Sequence, residues 1–271
     1  MTSVGELSHR PADVVTSARP APVIVMAYSG SGAERLRPVL SAFPGLTCTT
    51  GTGIVPLCHN AVTAWQAADG GAGEGLSTLA AASVRSLSAG LVTAILLRDG
   101  GKRWCEFTTA PPMVAETFAR LYPHTRFMTV HCRADTVIRA IIDASRWGLA
   151  GPEFAPFVSA NPASSVAALA SFWVAHTTEQ LKFEQAHPES CRRVRIEELR
   201  ANSEQAMLDI GDFLSLRAES VSPWLIEDEG GSQAADANPL PERIPLAQIP
   251  APLLAQLNEL HRELGYQPLT H

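Results

Sequence analysis

Residues 22–41, PVIVMAYSGSGAERLRPVLS, constrain this chain more than any other stretch. An unbroken apolar run over residues 23–27 gives way to Tyr28, Ser29, Gly30, Ser31 and Gly32. Leu36, Val39 and Leu40 then recur at helical spacing. The pattern predicts a buried strand, a tight small-residue turn and a helix. A glycine turn that feeds a helix N-terminus is a ready anion site, because its N–H groups point outward and the helix dipole favours negative charge there. Two glycines let the backbone close on a phosphate without Cβ clashes. The plainer alternative is a turn that only packs a helix on a sheet. Neither standard nucleotide loop is complete: no Gly-Lys-Ser/Thr follows, and Arg35 stands where the third glycine of GxGxxG would be.

The rest of the chain repeats the same alternation. Short strand patterns fall at residues 46–50, 103–108, 126–132 and 192–196. Helical patterns fall at 56–66, 76–89, 113–121, 134–146, 164–187, 203–214 and 250–265, with Ser203 as a candidate N-cap. Residues 91–97 read as a further strand, turning back at Asp99, Gly100 and Gly101 into the next one. Residues 151–162 and 216–248 read as loops. Strands alternating with helices predict an α/β fold: three layers, α/β/α, around a mainly parallel sheet. Ligands on such sheets bind at the carboxyl ends of strands, which points to the Ser29–Gly32 turn and to the residues after Val130. Residues 1–20 are expected to be a flexible lead-in, and residues 21–271 a single domain that includes the C-terminal helix.

Composition narrows the functions. With 271 residues the chain can bury one large core, and its net charge of −6 argues against a general nucleic-acid binder. No sequence run approaches the length of a membrane span, and the N-terminus lacks an apolar signal core. A cytoplasmic protein with no membrane partner is expected. Cys48, Cys58, Cys105, Cys132 and Cys191 are scattered and read as free thiols, mostly buried. No His/Cys group has zinc spacing, so no metal is expected. Basic residues other than Lys102 and Lys182 are arginines.

Taken in order, several segments resemble the P-loop-type sulfotransferases that use 3′-phosphoadenosine 5′-phosphosulfate (PAPS). Residues 31–37, SGAERLR, resemble their 5′-phosphosulfate loop, and Phe43, Pro44 and Gly45 follow as in the family. Residues 104–108, WCEFT, resemble the strand end that usually reads Gly-Glu-Lys-Thr/Ser-Pro. Residues 121–135 resemble Phe-Pro-Asp-Ala-Arg-Phe followed by the turn that grips the 3′-phosphate. Residues 193–199, RVRIEEL, resemble Val-Arg-Tyr-Glu-Asp-Leu, and residues 257–266 resemble the C-terminal helix. The likeness covers most of residues 22–266. It implies the three-layer fold and transfer of a sulfuryl group from PAPS to a hydroxyl or amine of a small-molecule acceptor, with no metal. A homodimer is allowed. The rivals are a catalytically degenerate binding or scaffold protein, and a transferase or lyase using another phosphorylated donor.

On that resemblance Ser29, Gly30, Ser31, Gly32 and Ala33 would hold the 5′ end of the donor and Arg133 the 3′-phosphate, since an arginine fork suits phosphate. Three residues are catalytic candidates. Glu106 could be a general base if burial raises its pKa, or it could orient a loop. His59 follows the small polar loop 49–53 and could reach an acceptor, or sit on a helix surface. Arg35 could replace a missing cation, or make a surface ion pair. His131 reads as a structural hydrogen-bonder. The departures matter: the family's loop Lys/Arg aligns with Gly30, its strand-end lysine with Phe107 or, in a slipped register, a neighbouring threonine, and the serine after the 3′-phosphate arginine with Ile141 or Ala140.

Overall fold

The computed structural model describes residues 20–68, 76–145, 148–149, 151–217 and 244–270. The expected lead-in 1–20, apart from Pro20, and most of the expected loop 216–248 lie outside these residues. Five strands form one sheet: β1 (Val23–Met26), β2 (Leu46–Thr50), β3 (Arg103–Thr108), β4 (Arg126–His131) and β5 (Cys191–Arg195). The order is β2-β3-β1-β4-β5, and every neighbouring pair is parallel. Both β1 and β3 are buried along their whole length, as strands covered on both faces must be.

The helices are α1 (Leu36–Ser41), α2 (Ile54–Ala68), α3 (Thr78–Asp99), α4 (Pro112–Leu121), α5 (Ala134–Ala144), α6 (Ala155–Ala160), α7 (Ser165–Ala186), α8 (Ile196–Ala201), α9 (Ser203–Leu214) and α10 (Ala251–Glu263). Two apolar clusters sit on opposite faces of the sheet. One gathers Val23, Val25, Leu36, Leu40, Cys105, Met128, Ile141 and Trp173. The other gathers Ile24, Met26, Val55, Trp104, Phe118 and Phe127. Alternation along each strand sends successive side chains to the two clusters.

Local chemistry sets several ends. Ser77 and Ser164 cap α3 and α7 by accepting from the Ala80 and Ala167 N–H groups, at 3.2 and 3.0 Å. Proline at the first position opens α4, where a missing N–H costs nothing. The cap of α9 is Asn202 rather than the expected Ser203, which is itself the first helical residue.

Several expectations are corrected. Residues 91–97 are not a strand; they continue α3 to Asp99. Gly100, at φ 71°, ends that helix in the left-handed conformation, and its N–H reaches Leu96 O. The Asp99-Gly100-Gly101 signal is thus a helix stop before a parallel strand, not a hairpin. The same helix also revises the reading of membrane length. Serines and threonine interrupt the apolar run in sequence, yet α3 has 22 residues and an 18-residue window of mean hydropathy 1.6, long and apolar enough to cross a membrane. Here it packs on α2 and β3. The expected loop 151–162 also contains a short helix, α6, and residues 246–248 form a single helical turn.

Candidate functional site

The carboxyl ends of β1 and β4 lie side by side and lead the chain apart: β1 feeds β2 on one flank of the sheet, β4 feeds β5 on the other. A crevice opens where connections diverge in this way. Two of the sequence-selected features follow these two strand ends, the bend directly after β1 and Arg133 after β4.

The first is the bend after β1. The Ser31 N–H donates to Tyr28 O at 3.0 Å, closing a turn, and the Tyr28 N–H donates to Ser31 Oγ at 3.4 Å. Ser31 is 1% exposed, so its hydroxyl serves the turn. Gly30 and Gly32 have φ of 79° and 77°. Gly30 is doubly required: a Cβ there would come 2.9 Å from Ile141 Cγ1 and 3.1 Å from Val137 O, both on α5. Among the described residues, the N–H groups of Ser29, Gly30, Gly32 and Ala33 have no hydrogen-bond acceptor. They remain available to an anion. Ser29 Oγ donates to Glu153 Oε1 at 3.3 Å, which places a carboxylate at one side of the bend. Arg35 ends the helical turn Ala33–Arg35, half-buried and partnered.

The second feature is Arg133, which precedes α5. Its guanidinium is aligned by Asp135, with Nε and Nη2 at 3.0 and 3.1 Å from the two carboxylate oxygens. That pair raises its pKa. Arg133, Asp135 and Arg139 line a cavity of about 780 Å³ together with Ile244, Leu246 and Leu269. That volume is within the usual range for a small-molecule site. The first N–H groups past β4 are not free as those of the bend are. Arg133 N donates to Glu197 Oε1 at 2.8 Å, and Ala134 N donates to His261 Nε2 at 3.1 Å. Glu197 also accepts from Tyr266 at 2.9 Å. An anion here would meet arginine side chains instead of amides.

The remaining candidates sit apart from this crevice. Glu106 lies near the end of β3 on the other side of β1, 2% exposed. It accepts from Thr49 Oγ1, and from the N–H and Oγ1 of Thr52, each of the latter at 2.9 Å. Of its two readings, these bonds describe a carboxylate that orients the loop 49–53. His59, on α2, pairs through Nδ1 with Thr117 Oγ1 of α4 at 2.9 Å, and no contact joins it to the bend among the described residues. His131 is fully buried and its Nε2 lies 2.6 Å from Glu184 Oε1, a structural role as read from sequence.

Helix α7 supplies what the sequence did not reveal. Gln180 Nε2 donates to Met26 O at 3.1 Å, strapping α7 over the end of β1. One turn earlier, the His176 ring lies 5.7 Å from Tyr28 and 4.3 Å from Phe172. Burial holds its imidazole below the ordinary value, against the opposing charge of Glu153. No hydrogen bond engages its ring nitrogens among the described residues, so a neutral imidazole stands beside the bend. The helical pattern of residues 164–187 marked the segment, but nothing in it distinguished His176 from a solvated histidine.

The sequence matches no family model and no curated protein. Solved structures are similar in fold. A sulfotransferase domain from the curacin biosynthetic pathway is 15% identical with a TM-score of 0.59, covering 92% of this chain and 99% of its own. A sulfotransferase domain from the olefin synthase of Synechococcus PCC 7002 is 14% identical, TM-score 0.53, covering 91% and 95%. A sulfotransferase from Alicyclobacillus acidocaldarius is 10% identical, TM-score 0.53, covering 91% and 96%. The chain therefore has the sulfotransferase fold, an α/β architecture on a parallel sheet, as the resemblance implied. At these identities the likeness speaks for the fold.

Proposed function

We propose that this protein transfers a sulfuryl group from PAPS to a hydroxyl or amine of a small-molecule acceptor. One observation carries the reading: on a sulfotransferase fold, the bend 28–33 offers unpaired N–H groups at the end of β1, while Arg133 and Arg139 line a cavity at the end of β4. Those suit the two anionic ends of such a donor. Ser29, Gly30, Ser31, Gly32 and Ala33 would take the 5′ end and Arg133 the 3′-phosphate.

The chemistry needs a proton acceptor on the acceptor side, and charge stabilisation on the leaving phosphate. The acceptor oxygen or nitrogen bonds to sulfur as the S–O bond to the 5′-phosphate breaks, and its proton passes to a base. His176, held neutral beside Tyr28, suits that role. Glu106 sets the loop 49–53 that would face the acceptor, with His59 behind it on α2. Arg35, at the first helical turn, is the cation nearest in sequence to the bend.

A second reading is favoured by a specific observation. Neither residue that the resemblance sets at the family's cation positions, Gly30 or Phe107, carries a charge. Gly30 abuts α5, and Phe107 is 8% exposed within the core. Losing such a cation typically costs about 3–4 kcal/mol of transition-state stabilisation. A protein that binds the nucleotide without turnover would tolerate this. Calorimetry with 3′-phosphoadenosine 5′-phosphate, followed by labelled PAPS with a panel of phenols, alcohols and amines, separates the readings. Binding and transfer support the enzyme; binding with no transfer supports the second reading; absence of any nucleotide affinity overturns both.

A further inference from the structure

Cys48 and Cys105 are direct partners in the parallel register of β2 and β3. Parallel neighbours at matched register project their side chains to the same face, and both cysteines pack in the cluster that includes α1. Strands lie about 4.8 Å apart, inside the Cα separation that a disulfide spans. Both are free thiols, and they differ in access: Cys48 is partly exposed, whereas Cys105 is fully buried. They also differ in acidity. A hydrogen bond from Cys105, with Ser41 and the charge of Arg37, holds the Cys48 thiol below its ordinary value, while burial pushes Cys105 up. A partly exposed thiol of lowered pKa beside a buried thiol of raised pKa is the arrangement of an attacking and a resolving cysteine.

We infer that Cys48 and Cys105 form an oxidisable dithiol, closed to a cross-strand disulfide by hydroperoxides. The Cys48 thiolate attacks the peroxide oxygen. The O–O bond breaks, the alcohol or water leaves with a proton, and Cys48 becomes a sulfenic acid. Cys105 then attacks that sulfur, and water leaves as the S–S bond forms. Two sulfurs give up two electrons in total, and the peroxide takes them.

The residues one position past the two cysteines give the dithiol its reach. Thr49 and Glu106, also register partners, form the clasp that holds the loop 49–53, and Thr49 Oγ1 lies 3.1 Å from Cys105 O. A disulfide needs Cβ atoms about 3.8 Å apart, closer than the ladder sets them, so closing it shifts the strand ends that carry the clasp.

The test uses the full-length protein treated with hydrogen peroxide, quenched with iodoacetamide and mapped by mass spectrometry. The expected product is a peptide linking residues 48 and 105, lighter by about 2 Da than the two thiol peptides together and restored by dithiothreitol. Hydrogen exchange at the Thr52 amide, which Glu106 holds, should quicken by roughly tenfold in the oxidised form. Cys48→Ser should abolish the link, and instead leave Cys105 unmodified. Because the wild-type map needs no variant, a poorly folded mutant leaves the test intact. Cys48 driven to sulfinic acid with Cys105 still a thiol, a bridge from Cys48 to another cysteine, or full resistance of both thiols overturns the inference. A disulfide that leaves the Thr52 amide unchanged overturns its coupling to the clasp.

Discussion

Helices α3 and α7 are each 22 residues long, apolar on average and without a pronounced polar face, yet the fold uses them in opposite ways. On α7 a run from Val166 to Ala170 is buried, as are Phe172, Trp173, Thr177, Gln180, Leu181 and Phe183. On α3 only Ala80, Val84 and Ser88 are buried, and Leu79 and Leu97 are 67% and 79% exposed. Helix α7 crosses the sheet, touching α4, α5, α6, α10, β4 and β5, and presents His176 and Gln180 at the end of β1. Helix α3 lies on an outer layer against α2 and β3. The lesson is that hydrophobicity sets how much a helix gains from burial, while its place in the layer order sets how much burial it receives.

Stability should follow that contrast, and the largest difference is expected at the two helices' big side chains. Trp173 is fully buried, donates to Cys132 O at 3.0 Å and meets His261 edge-on at 5.2 Å. Trp173→Ala should cost about 3–5 kcal/mol in urea unfolding, whereas Leu97→Ala on α3 should stay within about 0.5 kcal/mol. Equal costs would erase the distinction between the helices.

The next effect is electrostatic and belongs to α7. Burial works against the charge of Glu184, but the hydrogen bond and charge of His131, with Arg193 and Thr129, outweigh it and hold the carboxyl down at about 2. A depressed carboxyl contributes stability that is fully present above its unfolded pKa near about 4.3 and is lost as pH falls through the folded value. Glu184→Gln should therefore lower stability by on the order of 2 kcal/mol at neutral pH, and the gap to wild type should close as pH approaches about 2. A gap that persists unchanged in acid would show that the ion pair is not its source.

Smaller still is the polar anchor of α3. The Ser88 hydroxyl lies 2.6 Å from Tyr122 Oη, which is 3.2 Å from Arg85 O. Tyr122→Phe should cost about 1 kcal/mol and raise hydrogen exchange in α3 before α7. The mildest effect concerns α10, which packs on α7. Burial keeps the His261 imidazole below its ordinary value, and its Nε2 accepts from Ala134 N. The sign is the same as for Glu184, in that the deprotonated form is the one the fold prefers. Stability from this contact is complete above about pH 6.5 and declines as pH falls below it. Histidine NMR titration that shows His261 protonating at or above that value would contradict the contact.

Much of the architecture was legible in the chain. The apolar run at residues 23–27, the strand at 46–50 and the helix at 203–214 were set by patterns that local sequence carries in full. The error at residues 91–97 has a local cause as well. Val92, Ile95 and the leucines suit a strand by composition, and a glycine pair suits either a hairpin or a helix stop. What decided it was that α3 was already under way and that Gly101 had to pass Thr47, whose Oγ1 would lie 1.7 Å from an added Cβ. The candidate site was legible only in part. The bend and Arg133 could be picked out because glycine turns and arginines after buried strands have chemical meaning of their own. His176 could not, since its meaning comes from Tyr28 and Phe172 packing around it.

By itself the sequence determined the alternation of strands and helices, the glycine bend after β1 and the supply of charged groups, because periodicity and backbone freedom are properties of neighbouring residues. The tertiary structure alone decided that Gly30 is pressed against Ile141, whose Cγ1 would lie 2.9 Å from an added Cβ. It alone paired Glu106 with the loop 49–53 and brought His176 to the bend. These are contacts between segments far apart in the chain, and they exist only once the layers have closed around the sheet.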